Sequence, residues 1–312
     1  MKIANRFCSF LTLIVLVSAL CFGQLADKQS PTDEAQSLVK QGRKLNSEGK
    51  QDEALKLYQQ ALEKAPNLYE AHLESGIALD LKGDYSAARE HLKKAMEAAS
   101  GPDQKNRAMR VMAVSYAFEK NAAEAEKYEK PVFDQLLAKP DYEAAAGVAN
   151  ELARIMLESG DIKGATKWYK TGYETALRKS DLKDTDKALW DFRWENAQAR
   201  IAARRGKKSD ANQHVAAAKA ALDKANNPQQ AEYWPYLTGY VAFYCGDYQA
   251  AITELNKGNQ SDPFILLLLA WSHEKSGDAA KAKELYQKIM TINSHNPPNA
   301  FARPEARRKL GA

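Results

Sequence analysis

The sequence contains little cysteine. Three cysteines occur among 312 residues, and Cys8 and Cys21 both lie within the first 23 residues. If that segment is removed, Cys245 is left alone and no disulfide can form within the chain. Histidine is also sparse, and the five histidines show no spacing typical of metal ligands. We therefore expect a chain that is held together by packing alone.

β-Branched residues are few after the N-terminal segment, whereas alanine, lysine, glutamate, leucine and glutamine are abundant. The abundant residues are good helix formers, so an all-α fold is predicted. Hydrophobic residues make up 45% of the chain and charged residues 27%, which is typical of a globular protein. The formal charge of +5 is too mild to argue for nucleic acid as a partner, and none is expected.

The first 23 residues resemble a secretory signal. Lys2 and Arg6 precede an apolar run, Phe7 to Gly23, that is short for a membrane span of about 20 residues. We predict a signal peptide at 1–23, a linker at 24–33 and an exported protein, periplasmic or secreted. Two alternatives associate the protein with a membrane: an uncleaved anchor through 7–23, or a lipid on Cys21. Leu20 argues against the lipid, because a lipobox has a small residue there.

A short pattern recurs six times, first in "GKQDEALKLYQQALEKAPN" from Gly49. Each copy has a glycine, an alanine five residues later and a larger apolar residue four after that. The glycines are Gly49, Gly83, Gly160, Gly206, Gly246 and Gly277, the alanines Ala54, Ala88, Ala165, Ala211, Ala251 and Ala282, and the larger residues Tyr58, Leu92, Tyr169, Val215, Leu255 and Tyr286. Four-residue spacing places the alanine and its partner on one helical face.

A second helical segment precedes each glycine, and a small residue lies seven positions before it. These small residues are Gly42, Gly76, Ala153, Ala199, Gly239 and Ala270. Because glycine ends a helix readily, the unit is predicted to be helix, turn, helix, about 34 residues long.

This pattern resembles the tetratricopeptide repeat family. The opening unit places Leu38, Gly42, Leu45, Gly49, Ala54, Tyr58, Ala61 and Pro66 in the family's slots. The resemblance covers about 34–294 and implies an all-α, right-handed solenoid of antiparallel helix pairs, irregular in the middle. The seven expected units lie near 35–67, 69–100, 103–138, 146–179, 192–225, 232–262 and 263–294.

Two regions depart from the pattern. In the third unit, Asn121 is a candidate turn residue that puts Glu126 in the alanine slot, whereas a shift by one restores Ala125. Pro131 should end or kink the second helix of that unit. The tail, 295–312, is rich in proline and arginine, and its prolines argue against an ordinary helix. We expect it to cap the last unit; a tag for a partner or an anionic surface is the alternative.

No enzyme signature emerges from the sequence. His273-Glu274 begins like a zinc-protease helix, but Gly277 occupies the place of the second histidine. "GDIKGATK" lacks the spacing of a phosphate-binding loop, and its Gly160 and Ala165 belong to the repeat. We therefore predict no catalytic residues, no metal and no cofactor.

The first helices of such a solenoid line its concave face, where the family usually binds partners. Inward positions in the central units are rich in arginine and asparagine, and those of the sixth unit are rich in tyrosine. The candidate partner-binding residues are Asn150, Arg154, Arg193, Asn196, Arg200, Tyr233, Tyr236, Tyr240 and Trp271, with Arg107 and Arg110 if the third unit has the expected register. Because arginine grips carboxylates at two points, a peptide with an acidic group or a C-terminal carboxylate and apolar anchors would suit this surface.

The predicted function is a non-catalytic scaffold that binds a protein or peptide. The alternative function is a carbohydrate- or cell-wall-binding module whose tyrosines stack on sugars. Each candidate also has a structural explanation: the arginines as a solvated helix face, the aromatics as core. The carboxylate clamp of some chaperone-binding members is not matched, since Val39 and Leu73 occupy inward slots that would need donors.

Overall fold

A computed structural model describes residues 30–311. The predicted signal peptide and most of the linker lie outside these residues, so both stay predictions. The described residues form helices α1 (Pro31–Ser47), α2 (Gln51–Lys64), α3 (Tyr69–Lys82), α4 (Tyr85–Ala98), α5 (Pro102–Ala117), α6 (Ala122–Ala138), α7 (Tyr142–Ser159), α8 (Ile162–Ala176), α9 (Asp184–Arg204), α10 (Lys208–Ala225), α11 (Pro228–Ala231), α12 (Trp234–Tyr244), α13 (Tyr248–Leu255), α14 (Pro263–Lys275), α15 (Ala279–Met290) and α16 (Pro297–Leu310).

Helices that follow each other pack as pairs: α1 with α2, α3 with α4, and so on through α14 with α15. The first helices of successive pairs also contact each other, as α1 does α3 and α12 does α14. The first helices therefore form the inner layer of the stack. The prediction of an all-α solenoid of helix pairs is confirmed.

The turns are built as the glycines predict. All six turn glycines have φ between +71° and +97°, a left-handed conformation that glycine adopts without steric cost. An aspartate follows four of them and accepts a hydrogen bond from the backbone N–H three residues on, as Asp84 does from Ala87. Each Gly-Asp pair thus ends one helix and caps the next.

The small slots on the first helices are in contact with the large residues of the second helices. A Cβ added to Gly42 would lie 2.4 Å from Tyr58 Cε1, and one added to Gly76 would lie 2.6 Å from Leu92 Cδ2. The six alanines are at most 1% exposed, and of the six larger partners only Val215 is half-buried. The interface within each pair is therefore close-packed.

The third pair follows the shifted register. Asn121 caps α6 by accepting from Glu124 N, and Ala125 is fully buried. Lys120 takes the left-handed turn position with φ +57°. Of the two outcomes expected for Pro131, an end of the helix is wrong, because α6 continues to Ala138; a kink stays a prediction.

The tail forms α16, although its prolines argued against a helix. Pro297 and Pro298 stand in the first turn, where a missing N–H leaves no intrahelical bond unmade, while Pro304 lies inside the helix. The helix packs on α14 and α15, and Phe301 is 4% exposed in that contact. It therefore covers the end of the last pair.

Residues 293–310, here called the strap, also reach the other end of the solenoid. Asn293 accepts a hydrogen bond from Gln51 Nε2 at 3.0 Å and donates one to the Ser47 carbonyl at 3.3 Å. Arg303 and Arg307 donate to the Leu81 carbonyl at 2.8 and 2.9 Å. The strap thus joins the last pair to the first two pairs.

Among residues 30–311 there is no helix with the length and apolar character that crossing a membrane requires.

Candidate binding site

A pocket opens on the inner layer where the stack is irregular. Neighbouring first helices generally contact each other, but α7 and α9 lack a comparable contact. The connection between α8 and α9, residues 177–183, is longer than the tight turns within pairs. The space between α7, α9 and α12 forms a cavity of about 390 Å³, here called the arginine pocket.

Seven of the nine candidate residues line the arginine pocket: Asn150, Arg154, Arg193, Asn196, Arg200, Tyr233 and Tyr236. The sequence did not single out the other lining residues: Glu151, Tyr169, Phe192, Gln230, Pro297 and Pro298. Tyr169 had been assigned to packing alone, and the strap prolines reach the pocket from a distant part of the chain. The inward periodicity of α7 is a signal that could have found Glu151, since it lies three residues before Arg154 and thus on the same helical face.

The other two candidates lie elsewhere. Tyr240 has no exposed surface, and its hydroxyl donates to Glu158 at 3.2 Å. Trp271 is half-buried and stacks on Phe243, with 5.8 Å between ring centroids. Both side chains therefore serve the core of the C-terminal pairs in this structure.

Arg200 is fixed by neutral groups. Its Nε donates to Asn196 Oδ1 and its Nη2 donates to the Tyr169 hydroxyl, both at 2.9 Å. The residue is 6% exposed and lies over the Tyr169 ring at 5.3 Å. These contacts orient the guanidinium without neutralising it.

Within residues 30–311, Arg154 forms no ion pair, although the carboxylates of Asp262 and Glu158 lie close enough to raise its pKa against the effect of burial. Its Nε and Nη2 are buried without a hydrogen bond, and its guanidinium lies 5.7 Å from the Tyr236 ring and 5.6 Å from the Phe264 ring. The Tyr236 hydroxyl is buried and also has no partner. Three polar atoms without a hydrogen-bond partner among the described residues, two on Arg154 and one on Tyr236, therefore belong to side chains that line this cavity.

The mouth of the pocket carries one more cation and one exposed ring. Arg193 lies 4.4 Å above the Trp190 ring. Tyr233 is 52% exposed and is the one large hydrophobic residue exposed among the described residues. An incoming chain would therefore meet an aromatic surface and a guanidinium first.

Negative charge is scarce around these arginines. Glu151 is the single carboxylate in the lining, and it is bonded to Arg110. Glu158 lies deeper, where it accepts from Arg204 at 3.0 Å and from Tyr240. Burial raises the pKa of Glu158, and the nearby arginines oppose that shift. The pocket therefore carries an excess of positive charge.

A second cavity of about 700 Å³ adjoins the first. Its apolar lining consists of Val111, Val114, Val132, Leu136, Ala144 and Val148, and we call it the valine pocket. Arg107, Arg110 and His295 contribute to its polar lining, so the two additional arginine candidates lie here. Glu151 and Pro297 line both cavities, so the two are neighbours on the inner layer.

One cluster has the composition of a hydrolase triad but a different connectivity. Ser115 Oγ donates to Asp80 Oδ1 at 2.8 Å, and His295 Nε2 lies 2.8 Å from Asp80 Oδ2. Serine and histidine both contact the aspartate, so the nucleophile–base hydrogen bond of a triad is not formed. The cluster of Asp80, Ser115 and His295 lies between α3, α5 and the strap, so its hydrogen bonds join these three segments. Within 30–311, no three histidine, cysteine or acidic residues cluster as a metal site would need.

Residues 32–103 match a model of the tetratricopeptide repeat family. The apo form of RapI is similar in structure, with a TM-score of 0.56 and 12% identity over 89% of this chain and 99% of that chain. The chain has the fold of tetratricopeptide repeat proteins. A tetratricopeptide repeat protein from Parabacteroides merdae ATCC 43184 is also similar, with a TM-score of 0.50 and 11% identity over 89% of this chain and 98% of that one. No curated protein matches the sequence.

Tetratricopeptide repeats generally mediate contacts between proteins, and the fold typically serves as a non-catalytic scaffold. The family match ends at residue 103, before α7, α9 and α12. The arginine pocket is therefore formed by repeats that the family model does not describe.

Proposed function

We propose that this protein is a non-catalytic scaffold that binds a protein partner along its inner face, at the arginine pocket. The observation that carries the proposal is the convergence of seven inward side chains from α7, α9 and α12 on one cavity. Arginine and tyrosine are frequent energetic centres of protein interfaces, which favours a peptide or protein ligand.

The place of action is part of the proposal. The basic start and apolar run of residues 1–23 favour export, so we propose that the partner belongs to the cell envelope or the secreted space. N-terminal sequencing of the mature protein tests this directly. A first residue close to position 24 supports export with cleavage, and an intact Met1 contradicts it.

Photocrosslinking tests the binding face. A photoreactive phenylalanine analogue replaces Tyr233 at the pocket mouth, and a matched probe replaces Gln213, which is exposed on α10. We expect crosslinking in the native compartment to recover a partner from position 233 and not from position 213.

A charge variant provides the second arm of this test. Arg193 lies at the mouth and forms no ion pair with any residue of 30–311, so Arg193→Glu should reverse the local charge while the fold is retained. We expect the yield of the crosslinked partner to fall severalfold while circular dichroism stays unchanged. Recovery of the same proteins from positions 233 and 213, or an unchanged yield in the variant, would contradict the proposal.

The observations support sugar binding less well than they support protein binding. Stacking on a sugar needs an accessible aromatic face, and Tyr236 and Tyr240 are 8% and 0% exposed. Tyr233 alone offers such a face at this site.

A further inference from the structure

The strap forms part of the wall of both pockets. Asn296 and Pro297 line the valine pocket, and Pro297 and Pro298 line the arginine pocket. Besides packing on α14 and α15, α16 contacts the inner helices α5 and α7. A ligand that fills either cavity therefore touches the strap as well as the repeats.

A buried polar cluster fixes the start of the strap on the first pairs. His295 Nε2 lies 2.8 Å from Asp80 Oδ2, and Asp80 Oδ1 accepts a hydrogen bond from Ser115 Oγ at 2.8 Å. The side chains of His295 and Asp80 are 5% and 0% exposed, and the His295 ring lies 5.5 Å from the Phe118 ring. We call Asp80, Ser115 and His295 the latch. Because His295 precedes Pro297 by two residues, the latch sets the position of the shared pocket wall.

Different forces hold the strap on the two ends of the solenoid. On the last pair, α16 buries apolar side chains, among them Phe301 and Ala302. On the first pairs, the strap is held by polar contacts, such as those of Asn293 and His295. Water competes for such contacts, and the loss of hydration offsets much of the attraction in a buried ion pair. Release from the first pairs therefore costs less than release from the last pair.

A ligand in the pockets favours the docked position of the strap. Both cavities are present while the strap is docked, so a ligand enters without displacing it. Once bound, the ligand gains contacts with Pro297 and Pro298 that are lost if the strap moves away. Because a ligand stabilises the state in which it makes more contacts, binding and docking favour each other, and this coupling is reciprocal.

We propose that the strap clasps the partner: a partner in the pockets strengthens the attachment of the strap to the first pairs, and the docked strap strengthens partner binding. Asp80 and Ser115 are then positioning residues, because they hold His295 and line neither pocket themselves. This inference rests on the proposed function, because it places the partner on the inner face.

Photocrosslinking from α16 tests whether the strap contacts the partner. The photoreactive phenylalanine analogue replaces Pro298, which is half-buried at the arginine pocket. A matched probe replaces Arg308, which is exposed on the same helix and lines neither pocket. We expect position 298 to capture the same protein as position 233, and position 308 not to capture it.

The crosslinking result separates this inference from the proposed function. Capture at position 233 without capture at 298, or equal capture at 298 and 308, would overturn the inference and leave the proposed function intact. Capture at none of the three positions would overturn both.

Hydrogen exchange tests the effect of the partner on the strap. The amides of 293–296 should exchange more slowly in the complex crosslinked at position 233 than in the same protein without its partner. A strap that serves only as a cap would exchange at the same rate in both, and that result would overturn the inference.

Asp80→Ala tests the effect of the strap on the partner. The variant removes the latch contact of His295, so exchange at 293–296 should accelerate about fivefold in the free protein, as expected for one lost hydrogen bond. The yield of partner crosslinked at position 233 should fall severalfold while circular dichroism stays unchanged. Asn293→Ala, which removes the bonds to Gln51 and Ser47, repeats the test should Asp80→Ala fold poorly.

Glu195→Ala is the matched control for the latch. Glu195 also contacts a histidine, His214 at 2.6 Å, but this contact joins α9 to α10 and lines neither pocket. The control should change neither the exchange of the strap nor the crosslinking yield. Accelerated exchange with an unchanged yield in Asp80→Ala and Asn293→Ala would overturn the inference, and so would unchanged exchange at 293–296 in both.

Discussion

The first two repeats and the central repeats share one architecture and use their inner faces differently. In α1 to α4, which match the family model, inward positions such as Val39 and Leu73 are buried and apolar. In α7, α9 and α12, the inward positions carry arginine, asparagine and tyrosine around a cavity. The same helix-pair geometry therefore gives a closely packed inner face in the first repeats and a polar groove in the central repeats. The two regions differ in the residues at positions that helix packing does not fix.

Within the central repeats, Arg204 and Arg154 provide a second comparison. Arg204 is paired with the buried Glu158 and contacts the Tyr244 hydroxyl at 3.2 Å. Arg154 has neither kind of partner. Arg204 therefore holds its charge in a hydrogen-bonded ion pair, whereas Arg154 is held by ring contacts and by more distant acids.

The largest expected effect follows from breaking the Arg204 pair. Arg204→Met leaves Glu158 buried without its cation, and such a loss typically costs about 3 kcal/mol or more. Urea denaturation of the variant should show this loss, whereas Arg154→Met should show a smaller one, because Arg154 acts on Glu158 without a hydrogen bond to it. Equal losses in both variants would remove the distinction between the two arginines.

The next effect tests the packed end. Gly42→Ala places a methyl group against the fully buried Tyr58 ring, and overpacking of this kind costs about 1–3 kcal/mol. Gly147→Ala in α7 is the matched control, because nothing lies within 4 Å of its added Cβ. It should gain up to about 1 kcal/mol through helix propensity. If both variants are neutral in denaturation, the small slot of the first repeat is not close-packed.

The sequence predicts the first two repeats more completely than it predicts the pocket of the central repeats. The glycine, alanine and tyrosine slots are local features that are spaced by the helical period, so the fold and the turns could be predicted from them. The pocket was predicted through inward periodicity, which found Arg154 and Arg193 but also selected Tyr240, a core residue. Periodicity gives the direction of a side chain, and the neighbours decide whether that direction ends in solvent or in a core.

The strap could not be predicted because its contacts join residues more than 200 positions apart. The bonds of Asn293 with Gln51 and of Arg303 with the Leu81 carbonyl leave no local pattern in the sequence. Its prolines pointed away from a helix, whereas burial of Phe301 and Ala302 against the last pair favours one.

A third prediction asks whether the strap holds the two ends of the solenoid together. Arg303 is buried and donates to the carbonyls of Leu81, Met290 and Ile292, so Arg303→Leu should cost about 2 kcal/mol by removing these charge-assisted hydrogen bonds. The Leu81 carbonyl keeps its bond from Arg307 and the Ile292 carbonyl keeps its bond from Asn299. Hydrogen exchange should accelerate at the C-terminal end of α3. Arg308→Gln is the control: Arg308 is largely exposed and paired only with Glu305, so its loss should stay below about 0.5 kcal/mol. Unchanged exchange at α3 in Arg303→Leu would show that the strap does not hold the first pairs.

The smallest effect concerns pH and Glu129, a buried residue whose Oε1 lies 3.9 Å from Nε of Arg110. Burial and the neighbouring Glu151 raise the pKa of Glu129 well above its ordinary range, against the opposing effect of Arg110. Both Glu129 carboxylate oxygens are buried without a hydrogen-bond partner. The protonated form therefore suits the fold, and its contribution to stability is complete below the unfolded-state pKa of about 4.3 and declines as pH rises through the raised value.

Glu129→Gln keeps the shape of the protonated acid at every pH. The variant should match the wild type in denaturation near pH 4 and exceed it increasingly towards neutral pH, because only the wild type must then either keep its proton or bury a charge. A difference that is independent of pH would mean that Glu129 titrates as in the unfolded chain.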